Sequence, residues 1–286
     1  MRKPVFPRVN WKDLKQRLLI SAISIFCLIV IVALSYVAFF GFLVTAIVAL
    51  VAGISLWEYF RLLRHKGFHP HLPVAVTCGV IYILTVYLAA CDSQWEKLPY
   101  LVLLGSLVAS FIAYFRQRQQ ALVHVAVTFF GICYIAVTLG CIVGILYFFP
   151  FGALFSGRWW LIYLLIVAKM TDVGGYFIGR YLGKHKLAVH LSPAKTVEGA
   201  VAGLILSTLA SLCFAWAGLL PWTEALWLGA LMSVVAQLGD LTESLLKRDA
   251  GVKDSNTIPG LGGVLDMVDS LLFAAPLLYL YLTWNY

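Results

Sequence analysis

The feature that most constrains this chain is a succession of apolar segments, each about twenty residues long. A helix needs roughly 20 apolar residues to cross a hydrocarbon layer of about 30 Å. Hydrophobic residues make up 62% of the 286 residues and charged residues only 12%, so little sequence is left for a separate soluble domain. The pattern predicts an all-α, polytopic membrane protein, because the ten-residue alternating segments typical of a membrane barrel do not occur in the sequence.

The spacing of the apolar segments predicts about nine transmembrane helices in a single integral membrane domain, residues 1–286. We place the spans at about 18–36, 39–60, 72–91, 98–115, 122–149, 159–182, 198–219, 222–246 and 264–283. The start of the first span also resembles the apolar core of a signal peptide, but the apolar run continues past any suitable cleavage site. We therefore expect it to remain as a span.

The basic residues predict how these helices are oriented. With the N-terminus inside, the inner segments hold all but three of the 21 Lys and Arg residues, the exceptions being Lys97, Arg158 and Lys169. Because cytoplasmic loops carry an excess of Lys and Arg, the N-terminus is predicted to be cytoplasmic and the C-terminus outside. The net charge of +8 therefore indicates membrane topology and not a nucleic-acid partner. The six cysteines have no spacing typical of a zinc site.

One face of the sixth span is polar. Lys169, Asp172, Tyr176 and Arg180 fall within about 80° of one another on a helix. Since an ionisable side chain in lipid costs at least about 2.5 kcal/mol, we expect this face to look into the protein. The alternative to a functional role is a Lys169–Asp172 pair that only holds helices together. A ladder of small residues, suited to close helix contact and compatible with a homodimer, lies on an overlapping side: Gly175, Gly179 and Gly183.

The loop after this span is cationic. It carries Arg180, Lys184, Lys186 and Lys195. Ser192 followed by proline is typical of a helix N-cap and first turn. Such a turn would direct backbone N–H groups, Ser192, Lys195 and Thr196 toward one point and form an anion site. An ordinary basic loop beside anionic lipid is the alternative.

The densest group of charges lies between residues 237 and 269. On the eighth span, Asp240, Glu243, Ser244 and Lys247 are spaced so that they share one face. On the ninth span, two acids are i, i+3 neighbours, and a glycine-rich segment between the spans would let the backbone approach a phosphate. These residues are Asp266, Asp269, Gly260, Gly262 and Gly263.

Carboxylates from two helices that face one cavity would repel each other unless a cation lay between them. Ligands that are all oxygen, without Cys or His, favour Mg²⁺ or else Mn²⁺. Lys247, Arg248 and Lys253 would meet the remaining charge of bound phosphates. The pattern predicts a nucleotide or pyrophosphate site at the cytoplasmic membrane surface, and it leaves open a second, monovalent cation.

Two motifs in about the last 120 residues resemble those of the phosphatidate cytidylyltransferase family. The first motif comprises Thr171-Asp172, Tyr176-Phe177, Gly179-Arg180, Gly183-Lys184, Ser192-Pro193, Lys195-Thr196 and Glu198-Gly199. The second comprises Ser244, Lys247-Arg248, Lys253-Asp254, Pro259-Gly260, Gly262-Gly263, Asp266 and Asp269-Ser270. The chain departs from the family pattern at Leu261, Met267 and Ala194, where His, Arg and Lys are usual.

The resemblance implies transfer of CMP from CTP to phosphatidate, giving CDP-diacylglycerol and pyrophosphate. Residues 1–160 would then supply N-terminal helices, and residues 161–286 the catalytic helices and cytoplasmic loops. Asp240 and Asp266 are the metal ligands that it implies, with Asp269 and Asp172 supporting them. The substrate phosphates would be bound by Ser192, Lys195, Thr196, Arg180, Lys184, Lys247, Arg248, Lys253, Gly262 and Gly263.

Two other functions are compatible with parts of the pattern. A CTP-dependent lipid kinase of the polyprenol type would transfer the γ-phosphate to an alcohol and release CDP. A cation-coupled transporter would use the intramembrane acids as an ion site, but the charges have no counterpart in the first half of the chain, as paired transporter repeats would require. We expect a bacterial inner-membrane protein whose active site faces the cytoplasm.

Overall fold

The computed structural model describes residues 38–115, 120–149, 156–252 and 263–285. Within these ranges, eight helical segments are long and apolar enough to cross a membrane. They correspond one for one to the second through ninth predicted spans, so the prediction of an all-α, polytopic membrane fold is confirmed. The first predicted span lies outside the described residues.

We number the helices in chain order. They are α1 (Ala38–His65), α2 (Leu72–Cys91), α3 (Leu98–Tyr114), α4 (Ala121–Gly131), α5 (Thr138–Tyr147), α6 (Gly157–Leu182), α7 (Val197–Trp216), α8 (Trp222–Asp249) and α9 (Val264–Asn285). A 3-10 turn at Ser93–Trp95 precedes α3. A π-helical stretch at Ile132–Val137 joins α4 to α5, so that these two helices form one span.

The segment between α6 and α7 is a β-hairpin, which the sequence did not predict. Strand β1 (Lys186–Ala188) pairs antiparallel with β2 (Ser192–Thr196), and Ala188 lies opposite Ser192. The predicted N-cap at Ser192 is wrong: the cap is Thr196, whose Oγ1 accepts a hydrogen bond from the N–H of Gly199 at 3.2 Å. The physical reason is that proline's fixed φ suits an edge strand as well as a first helical turn.

Helices α6 and α7 pack backbone against backbone. A Cβ atom at Gly174 would lie 2.7 Å from the Cα of Gly203, and one at Gly199 would lie 2.8 Å from the carbonyl oxygen of Gly175. Such close approach is possible only for glycine. The glycine ladder of the sixth span is therefore covered by α7 of the same chain, and the predicted homodimer stays a prediction without support from it.

Two apolar clusters hold the bundle together. The first joins α6, α8 and α9, with Trp160, Leu164, Leu228, Met232 and Leu278 among its fully or almost fully buried members. The second joins α1, α2 and the π-helical stretch to the first turns of α9, through Leu56, Phe60, Ile83, Ile135, Leu265 and Leu272. Because α9 contributes to both clusters, both halves of the chain determine where it lies.

The charged ends of the helices meet at one end of the bundle. Lys66, just after α1, pairs with Asp249 at the end of α8, with Nζ and Oδ1 2.5 Å apart. Nε of Arg248 donates to the carbonyl oxygen of Leu191 at the hairpin turn, at 3.1 Å. These contacts place the loops after α1, α6 and α8 on the same side, as the alternation of spans predicts.

Candidate functional site

A cavity of about 490 Å³ opens between α6, β2, α7 and α8 at this charged end. Five of the residues predicted for the site line it: Asp172, Arg180, Lys195, Thr196 and Asp240. Its other walls include Tyr176, Ala194, Gly199 and Gln237. The tertiary structure thus brings residues of the first motif together with Asp240 of the eighth span, which lies more than forty positions further along the chain.

The polar face of α6 forms one wall, as predicted. Nη1 of Arg180 donates to the hydroxyl oxygen of Tyr176 at 2.5 Å, and the guanidinium lies 5.7 Å from the centre of that ring. An aromatic ring at this distance attracts the cation. The stack directs Arg180 along the cavity wall.

The pair between Lys169 and Asp172, which the sequence left open as an alternative to a functional role, is present, with Nζ and Oδ2 3.1 Å apart. Nζ of Lys169 also donates to the carbonyl oxygen of Met267 on α9, at 3.5 Å. The pair therefore links α6 to α9. Because both side chains are more than 40% exposed, this contact alone does not separate a structural role from a functional one.

The opposite wall carries a pair of opposite charges from β2 and α8. Nζ of Lys195 lies 2.5 Å from Oδ2 of Asp240, and the two side chains are 26% and 30% exposed. Strand β2 holds Lys195 in place because it ends at the Thr196 cap of α7. The cavity thus contains a lysine and a carboxylate that neutralise each other, and both are accessible to a ligand.

The base of the hairpin is held by an acid that the sequence placed only within a motif. Glu198, in the first turn of α7, accepts hydrogen bonds from the N–H groups of Lys184 and His185 at 3.1 and 3.2 Å. Its carboxylate also lies 2.7 Å from Nδ1 of His185. Lys184 and Ser192 are not among the residues that line the cavity. Their predicted contact with substrate stays a prediction.

A second charged group lies deeper, between α8 and α9. Glu243 is fully buried and pairs with Lys247, whose side chain is only 13% exposed. Nζ of Lys247 also lies 3.0 Å from Oδ1 of Asp266. Oδ2 of Asp266 accepts a hydrogen bond from the N–H of Gly263 at 2.8 Å, as the third residue of a helix often does toward its cap. Lys247 and the Gly263 N–H are thus both engaged by carboxylates.

Asp269 takes a different direction from Asp266. It is buried, and the charges that act on its carboxylate include Asp240, Lys169 and Asp172. Helices α8 and α9 touch here, since a Cβ atom at Gly239 would lie 2.4 Å from the carbonyl oxygen of Asp269. Asp269 does not line the cavity, but the charges of Asp240 and Asp172 act on it, so we group it with these acids; Asp266 instead pairs with Lys247 beside Glu243.

The three predicted metal ligands, Asp240, Asp266 and Asp269, are divided between these two groups. Among the described residues, no group of three or more His, Cys, Asp or Glu side chains is placed so that it could hold a metal ion. Even so, five carboxyl groups share three lysine partners: Asp172, Asp240, Glu243, Asp266 and Asp269 against Lys169, Lys195 and Lys247. This excess of oxygen ligands suits a hard divalent cation. Lys253 and Gly262 lie outside the described residues.

Sequence reasoning missed two buried acids. Glu243 was placed on the correct helix face but given no role, although it is the buried partner of Lys247. Glu58, in α1, was not considered, although its carboxylate accepts hydrogen bonds from the first N–H groups of α9. Both are ionisable residues within apolar spans, and that signal alone marks a residue as a candidate.

Comparison with known proteins shows the family to which the chain belongs. Residues 15–284 match the model of the Cytidylyltransferase family. A protein of Chlamydia pneumoniae named phosphatidate cytidylyltransferase is 30% identical, over 94% of this chain and 92% of its own length. Proteins of the same name from Bacillus subtilis and Synechocystis are each 32% identical, over 93% and 84% of this chain and 97% and 88% of their own lengths. Since the match extends over nearly all of its length, this chain belongs to the cytidylyltransferase family.

Proposed function

We propose that this protein transfers CMP from CTP to phosphatidate and forms CDP-diacylglycerol and pyrophosphate. The names of its bacterial relatives support the choice of substrates. The structural observation that carries the proposal is the cavity in which Arg180, Lys195 and Thr196 stand beside Asp172 and Asp240. A cavity with both signs of charge suits the meeting of two phosphorylated substrates.

The proposed reaction is an in-line displacement at phosphorus. An oxygen of the phosphatidate phosphate attacks the α-phosphorus of CTP. The bond from that phosphorus to the oxygen bridging to the β-phosphate breaks, and pyrophosphate leaves with the electron pair. Because the nucleophile is already anionic, the reaction needs positioning and positive charge more than a strong base. No covalent intermediate with the enzyme is required.

Within the cavity, the phosphates of CTP would compete with Asp240 for Lys195. The side chains of Lys195 and Asp240 are 26% and 30% exposed and line the cavity, so a ligand phosphate can reach the ammonium group. Arg180 supplies a second cation, and the hydroxyl of Thr196 retains a hydrogen that it can donate, since its oxygen accepts from Gly199. Release of Lys195 would leave the carboxylate of Asp240 free for a cation.

We assign Mg²⁺, or alternatively Mn²⁺, to the carboxylates of Asp240, Asp266 and Asp269 together with the substrate phosphates. Mg²⁺ is usually bound by one or two carboxylates plus phosphates, so the three acids need not all bind at once. When bound, the ion would neutralise charge on the reacting phosphates. The excess of carboxyl groups over lysines supports this assignment.

We place the protein in the bacterial inner membrane with the site facing the cytoplasm. The relatives are bacterial, and two basic residues of the described inner segments, Lys66 and Arg248, lie at the same end of the bundle as the cavity. This is the side on which the excess of Lys and Arg belongs.

Two differently labelled forms of CTP test the reaction. Purified protein with phosphatidate vesicles and Mg²⁺ should place the label of α-³²P CTP in lipid and the label of γ-³²P CTP in pyrophosphate. EDTA should abolish turnover, and Asp240→Asn should lower kcat by roughly a hundredfold or more. Lys97→Gln, on the far side, is the matched control and should keep full activity.

Each arm of this assay can contradict the proposal. Lipid labelled by γ-³²P CTP in place of α-³²P CTP would make the protein a kinase. Turnover that survives EDTA, or an Asp240→Asn variant at wild-type rate, would remove the metal assignment.

A further inference from the structure

Glu58 is a fully buried carboxylate in a part of the chain that the family motifs do not cover. It lies near the end of α1, between the apolar core residues Leu56 and Phe60. A buried charge is strongly destabilising unless hydrogen bonds or an opposite charge compensate it. What compensates Glu58 therefore indicates why the protein places an acid there.

Two of its hydrogen-bond partners are the first two residues of α9. Oε1 of Glu58 accepts from the N–H of Val264 at 3.0 Å, and Oε2 accepts from the N–H of Leu265 at 2.8 Å. These amides have no partner within their own helix, because the first four N–H groups of a helix never do. The carboxylate also lies at the positive end of the α9 dipole, where negative charge is stabilised.

The same helix end carries Asp266. Its carboxylate closes onto the N–H of Gly263, so the start of α9 is capped by one acid from α1 and one of its own. The side chain of Leu265 is fully buried in the cluster that α1 and α2 build. Two contacts from the first half of the chain thus hold the turn from which Asp266 and Asp269 project.

We infer that Glu58 is a positioning residue for the acids of α9, and that the N-terminal half of the chain takes part in the site through it. The inference rests on the proposed function for its catalytic consequence. Glu58 keeps the first turn of α9 at a fixed height against α8, so that Asp266 stays on Lys247 and Asp269 stays beside Asp240. Small displacements of reacting groups cost large factors in rate, roughly a hundredfold for about 1 Å.

The inference also implies that negative charge of the protein itself occupies the N-terminal end of α9. With Glu58 and Asp266 on its amides, the start of α9 is already occupied by two carboxylates. Substrate phosphates are then bound by Lys195 and Arg180 in the cavity, and α9 contributes acids. This differs from the expectation that the glycine segment and the helix start bind phosphate directly.

The experiment compares Glu58→Ala and Glu58→Gln with Glu224→Gln. Glu224 also joins two spans, by accepting from the hydroxyl of Tyr281, but at the other end of α8. The amide hydrogen exchange rate of the peptide 263–270 measures how firmly Glu58 holds the start of α9, independently of activity. We expect exchange at Val264 and Leu265 to rise at least tenfold in Glu58→Ala, less in Glu58→Gln, and not in Glu224→Gln.

Enzyme kinetics then test whether Glu58 positions the acids of α9 for the reaction. We expect kcat to fall by roughly tenfold to a hundredfold in Glu58→Ala, with a higher Mg²⁺ concentration needed for half-maximal rate and an unchanged KM for CTP. Glu58→Gln should recover part of kcat, because its amide oxygen still accepts one hydrogen bond. Glu224→Gln should match the wild type in all of these.

The results separate this inference from the proposed function. If the wild type makes no CDP-lipid, the proposed function fails, while the exchange data still decide whether Glu58 caps α9. Unchanged exchange in Glu58→Ala overturns the cap. Raised exchange and a lower melting temperature, with kcat and the Mg²⁺ requirement of the folded enzyme unchanged, overturn the positioning role.

Discussion

At the scale of single residues, Lys247 supplies the positive charge that compensates the buried acids between α8 and α9. It is the common partner of Glu243, which is fully buried, and Asp266, whose side chain is 17% exposed. Removing one member of a buried ion pair costs about 3–5 kcal/mol, because the remaining charge has no compensation. An exposed pair such as Lys66–Asp249 contributes at most about 1 kcal/mol.

We therefore predict that Lys247→Met lowers the free energy of unfolding by about 3–5 kcal/mol. Adding Glu243→Gln to it should restore part of the loss, because one of the two uncompensated carboxylates is then neutral. Lys66→Met is the control and should cost about 1 kcal/mol or less. Unfolding of the three variants in mixed detergent and SDS gives these values, and a Lys247→Met protein as stable as the wild type would refute the prediction.

At the scale of elements, the contact between α6 and α7 determines the shape of the cavity. Its glycines bring the two backbones together, so that Asp172 and Arg180 on α6 face Thr196 at the start of α7. No larger residue fits at the closest point, where Gly174 meets Gly203. The contact also explains why a segment with so many glycines remains helical.

We predict that Gly174→Ala destabilises the protein by about 1–3 kcal/mol, since the added methyl group pushes α7 away. The same change should raise KM for CTP, because it displaces the residues that line the cavity. Gly105→Ala on α3 is a matched control, since no atom lies within 4 Å of its added Cβ. It should be neutral or stabilising by up to about 1 kcal/mol. Equal effects of the two substitutions would contradict the proposed contact.

At the scale of the whole molecule, the described part of the chain has two unlike ends. One end gathers the cavity, the hairpin and the buried acids. The other end is joined by contacts such as Tyr281 with Glu224 and the hydroxyl of Tyr147 with the carbonyl oxygen of Gly41. The basic residues favour the first end as the cytoplasmic one.

A labelling experiment tests this orientation. In a protein whose six native cysteines are replaced, Gln94→Cys on the outer end should react with a membrane-impermeant maleimide in intact spheroplasts. His65→Cys at the end of α1 should react only after the membrane is opened, because it lies beside the cavity end. Labelling of His65→Cys from outside would reverse the proposed topology.

Hydropathy and helical periodicity by themselves determined the second to ninth spans and the polar faces of α6 and α8. They could do so because helix hydrogen bonds are local and a bilayer requires a fixed apolar length. The first motif likewise supplied Asp172, Arg180, Lys195 and Thr196, and the polar face of the eighth span supplied Asp240; the structure places all five around one cavity.

Only the tertiary structure decided which charges meet. Asp266 and Asp269 are neighbours on one helix, yet the first turns to Lys247 and the second toward Asp240, because side chains three positions apart diverge by about 60° and face different helices. The N-cap of α7 is Thr196, and not Ser192 as the sequence predicted, because Ser192–Thr196 form the second strand of a β-hairpin. The contact between Glu58 and α9 joins positions 206 residues apart, and no local pattern contains such a pairing.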